Sequence, residues 1–532
     1  MPCEHGTISP WLSGMPRAAG PLERDDSADV VVVGAGIAGM SVAYECALQG
    51  ASVLVLDDGP IGGGETARTT AHLTTALDGR YYKLEQLAGK DGAAVCARSH
   101  AEAIARIEAI CASEAISCDF QRLDGFLVVP PEEGARAMEL LERELEAAGR
   151  VGVLCEIVRR APFAALDSGH CLRFPGQGQF HPSKYLSGLS RAILNRKGRI
   201  HTGTHVAHVD DAERPMVRTD SGYSVSAGAV VVATNTPVND RLVVHTKQAP
   251  FRSYVIALRV ARGILPTALI WDGYWDSHAI PYHYVRLRSD PMEADELLIV
   301  GGEDHVTGRE DDGSARWAAL EEWARARYPN ALDVAYQWSG QIMEPHDEVA
   351  YIGRNPGNTH VYTVTGDSGN GMTHGVIAGL MLPALIRGEQ HPWLDVYSPS
   401  RLPQHAIGHA VVETAHMIAQ YRDWVVPRDH SEVERLVPGS GTVIRDRFGR
   451  PRAVYKDVNG ATNWLSAVCP HLQGIVRWNS CEKSWDCPCH GSRFDCRGRV
   501  LNGPANVPLL PVREDGPTSV AESSVEAGTL SG

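Results

Sequence analysis

Cys469-Pro-His471 is followed, after 15 residues, by Cys487-Pro-Cys-His490. Two thiolates and two imidazoles can bind zinc as a tetrahedral set. The same four donors can instead hold a [2Fe–2S] cluster, cysteines on one iron and histidines on the other. C-x-H and then C-x2-H, each in a short glycine-bearing loop, is the spacing of the second arrangement. Gly474 and Gly491 leave those loops room to close, and Gly503-Pro504-Ala505 offers a covering turn. An iron–sulfur cluster on Cys469, His471, Cys487 and His490 is therefore the expectation, with zinc as its rival.

A second stretch with chemical meaning runs from Asp29 to Asp57, DVVVVGAGIAGMSVAYECALQGASVLVLD. Val30 to Val33 form an apolar run long enough for one buried strand of a parallel sheet. Gly34 permits a tight turn, Gly36 lets backbone approach a pyrophosphate, and Gly39 lets the following helix pack on the strand. The helix N-terminus then offers free N–H groups to phosphate. Asp57, 18 residues beyond Gly39 at the end of a second strand, can accept from a ribose hydroxyl. Strand, glycines, helix, strand and acid in this order predict a dinucleotide site.

Other candidates flank these two. Gly59 to His72 is a run of Gly and Thr in which Arg68, Thr69, Thr70 and His72 could line a pyrophosphate or a ring edge. Ala229 to Pro237 reads as a further buried strand whose polar end, with Thr234, reaches the cofactor. Val361 to Gly375 is strand, glycine-rich turn and helix without an acid-ended second strand, so Gly371, Met372 and Thr373 are expected to meet a cofactor ring. Between about Lys247 and Val300 the pattern alternates and is rich in aromatics, which fits a sheet with one face over a flat ring. Tyr284, Arg286 and His305 are the candidates for the substrate face there, Arg286 as a bidentate holder of a carboxylate.

Helical spacing runs over Ala93–Ile116, Glu132–Ala148, Val376–Ile386 and 402–426, with a strand at Gly125–Val129. The 532 residues suffice for three or four domains, and Lys+Arg 50 against Asp+Glu 64 leaves a net charge of −14. That balance disfavours nucleic acid as the partner. No run of 18 apolar residues occurs and the N-terminus lacks a basic region before an apolar core, so neither a membrane span nor a Sec signal is expected. Twelve cysteines without framework spacing predict reduced thiols and a cytoplasmic setting.

Taken with these motifs, residues from about 28 to 395 resemble the glycine/D-amino-acid oxidase (DAO) family of FAD-dependent oxidoreductases, and 436–512 resemble a fused Rieske [2Fe–2S] domain. Pro10-Trp11-Leu12, Thr69-Thr-Ala, His181-Pro-Ser-Lys-Tyr185, Gly301-Gly-Glu-Asp-His305, Ser484-Trp-Asp-Cys487 and Asn502-Gly-Pro-Ala505 carry the resemblance to the fused group. It implies an α/β Rossmann-type FAD domain, an inserted α+β antiparallel-sheet substrate domain roofing the flavin, and an all-β Rieske domain. The boundaries expected are 1–27 for an N-terminal extension and 28–117, 178–246 and 346–395 for FAD binding. The substrate domain takes 118–177 and 247–345, a helical linker 396–440, the Rieske domain 441–512 and a disordered tail 513–532.

The implied activity is oxidation of an amine, amino acid or related small molecule by hydride transfer to FAD, with electrons passing to the cluster. An electron-transfer protein or O2 would be the final acceptor. The alternatives are a reductase fed through the Rieske domain by a partner, and a non-catalytic electron-transfer module. His72 stands where fused relatives often carry lysine, and some relatives in the wider family attach FAD through a histidine in this loop. Non-covalent FAD is the expectation here. High-potential Rieske proteins resemble one another in a loop-bridging cysteine where this chain has Gly474, opposite Cys489, and in a tyrosine where it has Phe494. The resemblance thus implies no loop-to-loop disulfide and a low cluster potential.

Overall fold

The valines Val30–Val33 are buried because strands flank them on both sides, Val53–Leu56 on one and Ala229–Val232 on the other, both parallel and in register. The computed structural model describes residues 7–12, 16, 20–162, 169–238, 244–272, 282–402, 419–424 and 431–514. Around the central strand an eight-stranded sheet runs Tyr351–Arg354, Val361–Thr365, Ser224–Val232, Asp26–Val33, Val53–Leu56, Arg199–His201, with two strands off this path. Helices Ile37–Leu48 and Gly371–Ile386 pack together, the second starting earlier than Val376.

A nine-stranded second sheet follows the order Val334–Pro345, Gln248–Ala261, Asp295–Val306, His283–Arg288, Leu269–Trp271, Gln121–Val128, Cys171–Gln179, His72–Leu73, with Glu156–Val158 off the path. It is mixed, because Leu269–Trp271 pairs parallel with Gln121–Val128. Gln248–Ala261 sits between two antiparallel neighbours and is buried along most of its length. Two small antiparallel sheets form the C-terminal domain, of three strands over Ser440–Ser466 and four over Arg477–Asn502.

The N-terminal extension departs from expectation. Trp11 is fully buried, its Nε1 donates to the Thr69 carbonyl at 2.6 Å, and its own carbonyl accepts from Ser183 Oγ at 2.5 Å. Residues 7–12 are thus a strap under the glycine–threonine loop, anchored by a buried indole whose N–H is satisfied. Most of the expected helix at 402–426 lies outside the described residues, as do 273–275 of the aromatic run and the tail from 515.

Candidate active site

A cavity of about 1760 Å³ takes its walls from both large sheets and from the C-terminal domain. At one end stand Gly34, Gly36, Asp57 and Thr234. Gly34 holds φ +105°, a conformation that favours glycine. A Cβ on Gly39 would overlap the Gly34 carbonyl oxygen, so Gly39 sets how closely the helix seats under the turn without itself lining the cavity. Asp57 Oδ2 accepts from the Ala35 N–H at 2.5 Å and Oδ1 from the Gly59 N–H at 2.7 Å. Burial pushes its carboxyl up to about 7 against the pull of those two donors. Each oxygen keeps a lone pair for a ribose hydroxyl.

The loop that follows supplies Arg68, Thr69, Thr70 and His72, all on the wall. Thr69 Oγ1 accepts from the Ala71 N–H at 2.9 Å. Arg68 is not free for a pyrophosphate: its NH1 reaches Glu482 Oε2 at 3.3 Å and donates to the Ser339 carbonyl at 3.0 Å. His72 is engaged at both nitrogens, Nδ1 with Thr70 Oγ1 at 3.0 Å and Nε2 with the Val285 carbonyl at 3.3 Å. Burial drives its pKa down to about 3, so it is neutral. Gly371 and Met372 line the cavity, whereas Thr373 turns back into its helix and donates to the Asn370 carbonyl at 3.0 Å.

At the other end Trp271, Tyr282 and Tyr284 form an aromatic wall under the second sheet. Tyr284 shares a 2.7 Å hydrogen bond with Ser253, and burial raises its phenol far above the ordinary value. Two expected substrate contacts are absent from the wall. Arg286 is buried and spends NH1 on the carbonyls of Thr70 (3.0 Å), Ala71 (2.9 Å) and Phe180 (3.2 Å), bracing the loop from behind. His305 hydrogen-bonds Tyr254 at 2.9 Å and stacks on it, on the far side of the sheet. The cause is a bulge. Arg252 pairs with His305 but Tyr254 pairs with Gly302, and Glu303 takes φ +58°. One extra residue swaps the faces, so Asp304 enters the cavity and His305 leaves it.

The two loops expected to carry the cluster ligands are tight turns. The Cys469 N–H donates to the Gly474 carbonyl and the Cys487 N–H to the Ser492 carbonyl, each at 2.8 Å. The rings of His471 and His490 lie 4.9 Å apart at 89°. Among the described residues no three of His, Cys, Asp and Glu converge as a single ion would demand. A donor set split two and two between irons fits the Rieske arrangement better than zinc. A Cβ on Gly474 would press on Cys489 Sγ at 2.6 Å, and Cys489 is a free thiol, so no disulfide ties the loops. Among the described residues ten cysteines are free and Cys496 is disulfide-bonded, which departs from the expectation of reduced thiols. Phe494 is fully buried in the core of this domain, beside Trp485 in the sheet.

The family model for FAD dependent oxidoreductases (DAO) matches residues 29–385, and that for the Rieske [2Fe-2S] domain matches 423–514. The chain belongs to the DAO family of FAD-dependent oxidoreductases. It carries a Rieske domain behind the DAO unit. It is 28% identical over 501 residues to YhfW of Bacillus subtilis, whose name describes a Rieske 2Fe-2S iron-sulfur protein, covering 93% of this chain and 95% of that one. It is 25% identical over 375 residues to the gamma-glutamylputrescine oxidoreductase of Escherichia coli, covering 69% and 85%. Glycine oxidase from Geobacillus kaustophilus shares the fold, with a TM-score of 0.58 at 18% identity over 71% of this chain and 99% of that one. No helix among the described residues is long and apolar enough to cross a membrane.

For this DAO protein the residues present fit FAD. The glycine turn and helix start would hold the pyrophosphate, Asp57 the ribose, and Gly371 and Met372 the ring, with the aromatic wall beyond. Gly39→Ala should purify with less than about a tenth of the FAD of the parent, because the helix must back away from the turn. Flavin absorbance per chain measures this, and full FAD content in Gly39→Ala would refute the role given to that glycine.

Proposed function

We propose that this enzyme oxidises the C–N bond of a small amine and passes the electrons to its own Rieske cluster. FAD supplies the hydride acceptor and the cluster a one-electron carrier. The protein's share is to orient the amine against the aromatic wall and to keep water out. Ser253 fixes the Tyr284 hydroxyl at that wall. Strap residues Thr7, Ile8 and Leu12 add to the lining on the loop side.

The observation that carries the electron route is a shared wall. Gln341 lines the cavity and its Nε2 donates to the carbonyl of Gly491, next to the ligand His490, at 3.0 Å. A Cβ on Gly491 would lie 2.5 Å from Pro250 Cβ, between Ala249 and Phe251 of the cavity wall. His245, just before that strand, sets its ring 5.1 Å from the His471 ring. The cluster loops therefore press on the strand that separates them from the flavin space. Rapid-freeze EPR after anaerobic mixing with an amine that bleaches the flavin should show the reduced cluster within the same turnover. Bleached flavin beside a permanently oxidised cluster would overturn the route.

A further inference from the structure

The substrate end of the cavity is lined by acids. Asp304 comes from the bulged strand, Asp78 from the turn before helix Tyr81–Leu87, and Glu344 and Glu348 from the end of Val334–Pro345 and just beyond. They stand close to one another. Asp78 accepts from the Tyr282 hydroxyl at 2.7 Å, and its other oxygen occupies the place a Cβ on Gly369 would take. Glu344 Oε1 accepts from Ser368 Oγ at 2.6 Å. Burial raises the carboxyls of Asp78, Asp304 and Glu344, and Asp78 adds to the rise at the other two.

An acidic wall alone could be closed by hydrogen bonds within the protein. Asp304 receives a hydrogen bond from Ser253, yet its Oδ1 is shielded from solvent and has no hydrogen-bond partner. A buried carboxylate oxygen without a donor costs free energy until a ligand provides one. Trp271, Tyr282 and Tyr284 stand on the same wall, and aromatic faces attract cations and do nothing for carboxylates.

The positive groups an amino acid would need are committed elsewhere. Arg286 is behind the loop, Arg68 is held by Glu482, and Arg499 is paired with Asp495 at 2.6 Å. Arg80 partly offsets Asp78 but is buried and donates to the Leu77 carbonyl at 2.8 Å. Lys83, on the helix after Asp78, and Arg309 are further cations on the wall. Two cations do not balance four carboxylates.

We propose that the substrate is a dication without a carboxylate, a diamine or longer polyamine, with one ammonium received by Asp304 against the aromatic wall and the other by Asp78, Glu344 and Glu348. This rests on the amine-oxidation reading above and narrows it. The test uses 1,4-diaminobutane and, in parallel, glycine, in equilibrium dialysis against dithionite-reduced holoenzyme, where no turnover can occur. Diaminobutane should bind, glycine should neither bind nor compete, and Asp304→Asn and Glu344→Gln should each weaken diaminobutane at least ten-fold while keeping full flavin and iron. The second variant decides the matter if the first does not fold. Glycine binding more tightly than diaminobutane, or unchanged diaminobutane affinity in the folded variants, would overturn the inference. Failure of the two readings is distinguishable: if no amine bleaches oxidised flavin, amine oxidation falls, while the charge preference is still read from the reduced enzyme.

Discussion

Glu482→Ala should destabilise the protein by about 3–5 kcal/mol and uncouple the Rieske domain from the flavin unit. Glu482 is a buried carboxylate of the C-terminal domain facing outward into the other two. Its Oε1 accepts from Thr7 at 2.9 Å and from Ser339, and Oε2 lies 3.3 Å from Arg68 and 3.7 Å from Arg493. Burial by itself would raise its pKa, but Arg68, Arg252 and Arg493 outweigh burial and hold it at about 2. Arg252 is itself fully buried, with Nε and one terminal nitrogen lacking hydrogen-bond partners, so Glu482 is the charge that makes its burial tolerable. Truncation leaves Arg68 and the buried Arg252 without this anion, while Arg493 keeps Asp486 at 3.1 Å. The folded pKa lies below the unfolded value of about 4.3, so this stabilisation is complete above about pH 4.3 and is lost as pH falls through about 2. The gap corresponds to roughly 3 kcal/mol. Calorimetry should show the parent's transition lowered in Glu482→Ala, and freeze-quench EPR should show slower cluster reduction after flavin bleaching. An unchanged transition would refute the latch.

The cluster should titrate near the low end of its class, at about −150 mV rather than +300 mV. Hydrogen bonds to the sulfurs favour the more negative reduced cluster, and Phe494 has no hydroxyl to give one. The Gly474 site also lacks the cysteine that would tie its loop to Cys489, which is free. Phe494→Tyr should raise the potential, with a small stability change if the hydroxyl finds a sulfur. EPR-monitored potentiometry measures both proteins. A parent value near +300 mV would mean that another donor replaces the missing tyrosine, and an unmoved potential in Phe494→Tyr would mean that the ring does not face the cluster. A low potential lets electrons exchange with flavin in either direction, so the direction of flow is read from the amine-driven experiment, not from the potential.

The two cofactor-binding domains were legible in the sequence because the motif of each is local. Gly34 to Asp57 spans a single strand–helix–strand unit, and the turn, the close helix approach and the acid all follow from residues within it. The four expected cluster ligands lie on two short loops within 22 residues, and their spacing favours a two-iron set over a single-ion set. The aromatic run was legible as a sheet that walls a cavity, since Trp271 and Tyr284 do so.

What spacing could not reveal was decided by contacts between distant segments. Arg68 reads as a phosphate ligand until Glu482, 414 residues away, is seen to claim it. Arg286 reads as a carboxylate clamp until the Thr70–Ala71 carbonyls from the far edge of the sheet arrive beneath it. Trp11 reads as part of a lead-in because its pocket is built from His181, Thr69 and Ser183. The choice between Asp304 and His305 is the sharpest case. Alternation assigns faces only while the register holds, and both faces of Asp295–Val306 are buried, so polarity does not mark the inner one. The bulge at Gly302–Glu303 exists only in the pairing with Gln248–Ala261, and that pairing, not the local sequence, turned a carboxylate rather than an imidazole toward the cavity.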